Sequence, residues 1–292
     1  MRRHGFRAMG TDVSVILDDD RTPASVGDRA IVEVERIFVT EEQRCSRFRG
    51  DSEVSRANAA AGSTVALSEP LAELVRFSLR QAAESDGLFD PTVLGAIVAA
   101  GYDRDFDEVL AGARDALRPP VPCGRWREVE LRGRELLLPS GVGLDLGGVA
   151  KGWTVDRAAV AAVAAGARWA IVNAGGDLRI AGDAPPIEVA VDDPTDPTAS
   201  ITRLSVTAGA IATSSTARRS WGPGLHHLID PRTGAPSETG IVQATVWAPT
   251  CALAEIAAKR SLLQGELGPQ PTVLVTDDGE VRMNLESMEA AA

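Results

Sequence analysis

Trp169-Ala170-Ile171-Val172-Asn173-Ala174-Gly175-Gly176-Asp177-Leu178-Arg179-Ile180 is the stretch that sets the fold class. Residues 169–172 and 177–180 read as neighbouring strands, and Ala174-Gly175-Gly176 supplies the tight turn between them, because glycine tolerates backbone angles that other residues resist. Upstream, Glu135-Leu136-Leu137-Leu138 is a strand, and Gly147-Gly148-Val149-Ala150-Lys151-Gly152 opens an Ala-rich helix that stops near Gly166. Downstream, strands are predicted at 187–191, 202–207, 242–247 and 272–276, with a helix over 250–263 and the hairpin signal Asp277-Asp278-Gly279 after the last strand. Strand and helix signals alternate without a regular βαβ repeat. The chain is therefore expected to be α+β, with mixed or antiparallel sheets and packed helices.

The N-terminal part fits the same class. Val13-Ser14-Val15-Ile16-Leu17 is a strand ending at the acidic turn Asp18-Asp19-Asp20. From about Ser25, the residues Ile31, Val34, Ile37 and Phe38 recur at helical spacing towards Glu41 and Glu42. A second helix starts at the N-cap Ser68 with Pro70 in its first turn, buries Leu71, Leu74, Val75, Ser78, Leu79 and Ala82, and is stopped by Gly87. Residues 103–124 are charged and Pro-containing, with only a weak helical pattern over 109–117, and read as a surface excursion between two halves. One domain over 1–292 is expected, with any subdivision near 103–124 and a frayed tail at 288–292.

Bulk composition excludes some classes of function. The 292 residues are 44% hydrophobic and 24% charged, ordinary for a globular protein with a substantial core. A net charge of -11 and a pI near 4.9 leave no broad basic surface for nucleic acid or an anionic membrane. Cys45, Cys123 and Cys251 have no CxxC spacing and are expected as small core residues rather than a disulfide frame or zinc site. No segment approaches the length of a signal h-region or a membrane span, so a cytoplasmic location is expected. The five tryptophans are spread through the chain and are read as core anchors.

Several segments carry chemistry-bearing residues. Leu144-Asp145-Leu146-Gly147-Gly148-Val149-Ala150-Lys151-Gly152 places a carboxylate, paired glycines and a lysine at a helix start, which suits a phosphate and equally suits an ordinary tight turn. Its glycine spacing is not that of GxGxxG. In Asp86-Gly87-Leu88-Phe89-Asp90-Pro91-Thr92-Val93, Asp90 reads as the N-cap of a helix beginning at Pro91. His226-His227-Leu228-Ile229-Asp230-Pro231-Arg232-Thr233-Gly234 sets two histidines beside a turn, where one can serve as a general base. Thr213-Ser214-Ser215 offers hydroxyls that equally serve to cap a strand end. There is no nucleophile elbow, HExxH helix or Walker loop.

Taken in order, Met9-Gly10-Thr11, the segment from Ser46-Arg47-Phe48 to Asn58, DGLFDPTV, LDLGGVAKG, NAGGD, TSS and HLIDPRTG follow the pattern of the ApbE family, the FAD:protein FMN transferases, which this chain resembles over nearly its whole length. The resemblance implies an ApbE-like flavin transferase fold. It implies that the FMN moiety of FAD passes to a Ser or Thr hydroxyl of an acceptor protein with release of AMP. By position, it assigns Met9, Leu88, Phe89, Asp90, Asp145, Lys151, Thr213 and Ser214 to the FAD site and His227 to activation of the incoming hydroxyl. Lys151 is implied to be the nucleotide-binding lysine and His226 to be structural. Two other readings of the same resemblance are an FAD-binding protein without transferase activity and an FAD pyrophosphatase giving FMN and AMP.

The resemblance also implies magnesium, bound by a carbonyl at Gly148, a carbonyl near Ala252, and Asp and Thr side chains four apart on the late helix. Here Glu255 stands at the Asp position and Lys259 at the Thr position. A protonated lysine cannot ligate a metal. At i and i+4 the two are placed to pair, and the Lys259 ammonium is expected to replace the magnesium in part or whole.

Overall fold

The computed structural model describes residues 1–18, 23–112, 118–196 and 198–285. Asp19 and Asp20 of the expected turn, residues 113–117 of the weak helix and the 288–292 tail lie outside them. In chain order the first elements are β1 (Arg2–Ala8), β2 (Thr11–Leu17), α1 (Ala24–Cys45), α2 (Glu53–Ala59), β3 (Thr64–Ala66), α3 (Glu69–Glu84), α4 (Leu94–Ala99) and α5 (Phe106–Ala111). There follow β4 (Glu130–Arg132), β5 (Glu135–Leu137), α6 (Ala150–Ala164), β6 (Trp169–Ala174), β7 (Asp177–Gly182), β8 (Ile187–Asp192), β9 (Ser200–Val206) and β10 (Gly209–Ser215). The last are β11 (Ser220–Gly222), β12 (Leu225–His226), β13 (Ile229–Asp230), β14 (Ala235–Pro236), β15 (Ile241–Ala248), α7 (Cys251–Gln264), β16 (Thr272–Thr276) and β17 (Val281–Asn284).

Two compact units result. The first comprises Met1–Thr40, Lys151–Ala217 and Thr239–Ala292; the second comprises Glu41–Ala150 and Arg218–Glu238. The 103–124 stretch, expected to separate two halves, lies inside the second unit. It is only partly a surface excursion, because Phe106, Val109 and Cys123 pack against Ala96, Ile97, Tyr102 and Trp221.

The first unit is an eight-stranded sheet in the order β1-β2-β6-β7-β10-β15-β16-β17, with every neighbouring pair antiparallel. Side-chain alternation divides its central strands between two faces. Ala170, Val172 and Ala174 of β6 point into one cluster with Val155, Ala158, Ala159 and Ala162 of α6 and with Val34 and Phe38 of α1. Trp169 and Ile171 point into the other, against Val191, Leu204 and Val206 of the β8–β9 hairpin. Alanines on the helical side, Ala210, Ala212 and Ala248 among them, let α7 lie close to β10 and β15. Bulk on that face is supplied by Phe38, which meets Phe6 edge-on at 5.4 Å between centroids.

The sequence reading omits β1, whose Arg2-Arg3-His4-Gly5-Phe6-Arg7-Ala8 has no apolar alternation. It forms a strand because β2 supplies the ladder, with Phe6 opposite Val13, and as an edge strand it keeps one side in solvent. The β6–β7 turn matches the reading: Gly175 and Gly176 have φ of 63° and 99°. A Cβ on Gly175 would collide with the Thr11 side chain. In the second unit, Ser68 caps α3 by accepting the Leu71 N–H, while β3, β5 and β4 form a small antiparallel sheet.

Candidate functional site

In the first unit, the starts of α6 and α7 meet. Gly152, in the first turn of α6, has no room for a side chain: a Cβ there would lie 2.7 Å from the Cys251 carbonyl and 2.8 Å from the Ala252 nitrogen. The two helices then exchange carboxylates. Asp156 of α6 accepts the N–H groups of Cys251 (2.8 Å) and Ala252 (3.0 Å) at the start of α7. Glu255 of α7 accepts the Gly152 N–H at 2.9 Å. Each acid thus satisfies backbone donors that its neighbour's helix leaves open, at the end where the helix dipole favours negative charge.

Four charged side chains gather at this junction. Lys151 Nζ donates to Glu255 Oε1 at 2.9 Å and to Asp177, the first residue of β7. Lys259 Nζ donates to the same Glu255 Oε1 at 3.1 Å. Both carboxylates are 2% exposed, whereas Lys151 and Lys259 are 18% and 15% exposed. Burial alone would push Glu255 up, but the two ammoniums outweigh it and hold its carboxyl at about 2. For Asp177 burial prevails over Lys151 and raises the carboxyl, and burial likewise lowers Lys259.

This donor set does not fit magnesium. Both oxygens of Glu255 are engaged, one of them by two ammoniums, and Lys259 presents only N–H donors where an oxygen ligand is required. Unit charges 4 Å apart repel by about 4 kcal/mol at the effective dielectric of a protein surface, and a divalent ion sharing Glu255 with two ammoniums would meet about twice that from each. Among the described residues no group of three or more His, Cys, Asp or Glu is placed to hold a metal ion. Of the metal set expected at Gly148, Ala252 and Glu255, the Glu255 carboxylate is the member already engaged, by two ammoniums and the Gly152 N–H. Ala252 directs its N–H at Asp156, and Gly148 lies in the turn before α6.

The remaining first-unit candidates sit in the β1–β2 turn and on the interior strand β10. Met9, at φ 51°, forms the β1–β2 turn with Gly10 and packs partly against the helical core. Thr213 shares a hydroxyl hydrogen bond with Thr245 of β15 at 2.9 Å, and Ser214 is buried beside it.

The second unit gathers the other motif segments. Asp145 accepts the Gly147 N–H at 2.7 Å and the Arg47 Nε at 3.1 Å, while its own N–H donates to the Pro91 carbonyl at 2.8 Å. Asn58 holds the adjacent Leu144 through both backbone groups. The Arg47 guanidinium lies 4.1 Å from the Phe48 ring centre and 4.6 Å from that of Tyr102. Its Nη2 is buried without a hydrogen-bond partner. Asp90 does not cap a helix beginning at Pro91. It accepts Thr92 N–H and hydroxyl and the Gly124 N–H, and α4 starts only at Leu94. Its short loop, with Leu88 half-buried and Phe89 buried, is held by this Asp90 turn rather than by helix geometry.

The two histidines are unlike. His226 is buried between the Ser237 carbonyl on Nε2 (3.0 Å) and the Leu228 N–H on Nδ1 (3.3 Å), which fixes Nε2 as the protonated nitrogen. Burial lowers its pKa and keeps it neutral. His227 is half-buried and donates its backbone N–H to Arg219 at 3.3 Å. Its loop closes on Gly234, at φ 70°, where any Cβ would strike the Val121 carbonyl.

Asp177, Asp156 and Arg47 hold the candidate site residues in place and are not among those expected from the sequence. Asp177 ends the NAGGD motif and Arg47 sits inside Ser46-Arg47-Phe48, so both carried a signal. Asp156 carried none, because its partners are backbone groups 95 and 96 residues away.

A model of the ApbE family matches residues 9–270. FAD:protein FMN transferase of Rhodobacter capsulatus is 33% identical over 264 residues, covering 82% of this chain and 50% of the relative, so the chain spans half that protein's length. FAD:protein FMN transferase of Treponema pallidum is 29% identical, covering 84% of this chain and 74% of the relative. Among solved structures, the ApbE protein of Thermotoga maritima superposes with a TM-score of 0.82 over 99% of this chain and 98% of its own, at 22% identity. Apo flavinyl transferase ApbE of Pseudomonas stutzeri gives 0.79 over 99% and 96%, at 21% identity. The architecture is that fold, and with nine-tenths of its length matched by the family pattern this chain belongs to the ApbE family.

Proposed function

We propose that this chain transfers the FMN moiety of FAD to a Ser or Thr hydroxyl of an acceptor protein. The acceptor oxygen bonds to the FMN phosphorus, the phosphoanhydride bond to AMP breaks, and AMP leaves with the bridging oxygen and its electron pair. The hydroxyl proton passes to a base, for which His227 is the candidate; His226 is committed to Ser237 and Leu228. Family membership and the relatives' shared activity support this reading. The observation that carries it is Lys151, an ammonium at the start of α6 that is held on two buried carboxylates by a side chain that is itself 18% exposed. That is the charge a diphosphate needs.

Asp145 and Asp90 shape the loops assigned to FAD, and Met9, Leu88, Phe89, Thr213 and Ser214 remain its proposed contacts. Cytoplasmic location is part of the proposal: the three cysteines are free, and no helix among the described residues is long and apolar enough to cross a membrane.

The test incubates the protein with FAD and an acceptor domain and follows the acceptor's intact mass and released AMP. An FMN-sized gain that falls by about 10²- to 10⁴-fold in rate in His227→Ala supports the transferase with His227 as base. AMP release without any acceptor would replace it by a pyrophosphatase, and intact bound FAD by a binding protein.

A further inference from the structure

The misfit of magnesium at Glu255 points to what stands in its place. Glu255 and Asp177 contribute two formal negative charges, Lys151 and Lys259 two positive ones, so the cluster is neutral with no added ion. The two carboxylate side chains are 2% exposed, and the lysine side chains that bind them are 18% and 15% exposed. Each ammonium has three donor hydrogens. Lys259 spends one on Glu255 Oε1 at 3.1 Å. It sits one helical turn beyond Glu255 on α7, so the two side chains rise from the same helix face.

We propose that Lys259 takes the place of a divalent cation in this chain, so that Lys151 and Lys259 together neutralise the FAD diphosphate and the protein binds FAD without metal. This rests on the transferase reading for the identity of the ligand. Glu255 holds both ammoniums at one oxygen and the Gly152 N–H at the other, which fixes the pair relative to the start of α6. A monovalent point charge with rotatable donors then replaces a fixed octahedral ion.

The test measures FAD affinity by flavin fluorescence in EDTA and in millimolar magnesium, with Mn2+ as a paramagnetic probe of bound metal. Equal affinity in the two buffers and no protein-bound Mn2+ signal are expected. Lys259→Met is expected to weaken FAD about 10- to 100-fold, the loss of one charge-assisted hydrogen bond, with no rescue by magnesium. Paired replacement, Glu255→Asp with Lys259→Thr, is expected to make binding magnesium-dependent.

FAD binding that collapses in EDTA and returns with magnesium, or stoichiometric Mn2+ on the wild-type protein, overturns the proposal whether or not any variant folds. Metal-independent FAD binding without FMN transfer supports Lys259 in this role and overturns the transferase reading. FMN transfer that requires magnesium does the reverse. Absence of FAD binding in both buffers overturns both.

Discussion

Asp156 and Glu255 cap each other's helices. Asp156, on α6, holds the first N–H groups of α7, and Glu255, on α7, holds the Gly152 N–H at the start of α6. Neither acid faces the helix it stabilises in sequence. The arrangement aligns two helix starts and sets Lys151 and Lys259 on the same carboxylate, so removing either acid disturbs the end of the first unit where the diphosphate is proposed to bind as well as its stability.

Asp156→Ala should cost about 1–3 kcal/mol, because two backbone donors at the start of α7 lose their acceptor. Urea unfolding measures it. A variant as stable as the wild type would mean that water replaces the carboxylate without loss.

Gly152→Ala should act against helix propensity. In an exposed helix this change stabilises by roughly 1 kcal/mol. Here the new Cβ meets Cys251 and Ala252 backbone at 2.7–2.8 Å, and backbone cannot swing aside as a side chain can. We expect destabilisation by about 1–3 kcal/mol and weaker FAD binding. Increased thermal stability would show that the helix starts separate freely.

Arg47→Met should destabilise the second unit by about 3–5 kcal/mol, since it strands Asp145 with no cation at a site where both side chains are 8% exposed. The double variant Arg47→Met with Asp145→Asn should recover part of the loss. Equal stability of the single variant in urea would show that Asp145 draws its stabilisation from Gly147 alone.

His226 should make stability fall in mild acid. Its folded pKa lies below the ordinary 6.5 because burial disfavours the charged ring, so the unfolded chain takes up the proton first. The contribution is complete above about 6.5 and is lost as pH drops through that value towards the lower folded pKa. His226→Gln should flatten the profile in that window. Glu255 acts in a lower window: its carboxyl, held at about 2, adds stability that is present above its ordinary 4.5 and disappears as pH falls from there towards 2. A stability curve that stays level from pH 7 to 5 in the wild type would refute the histidine assignment.

Sequence by itself determined a good deal. The apolar run of β6, the paired glycines after it and the cap Ser68 are local features, each decided by residues within a few positions of one another. They suffice for the α+β class, for eight of the seventeen described strands and for the long helices. The i, i+4 spacing of Glu255 and Lys259 was equally legible, and the two do pair.

Tertiary structure decided the rest, wherever the partner of a residue is distant in the chain. Arg2–Ala8 is a strand only because β2 lends it a ladder, and Asp90 is tied to Gly124 rather than to a helix start. Glu255 becomes a shared acceptor for two ammoniums only when Lys151, 104 residues earlier, is brought to it. A charge pattern records which ions are available; which carboxylate receives which ammonium, and whether any oxygen is left for a metal, is set by burial and by the meeting of two helix starts that no local period encodes.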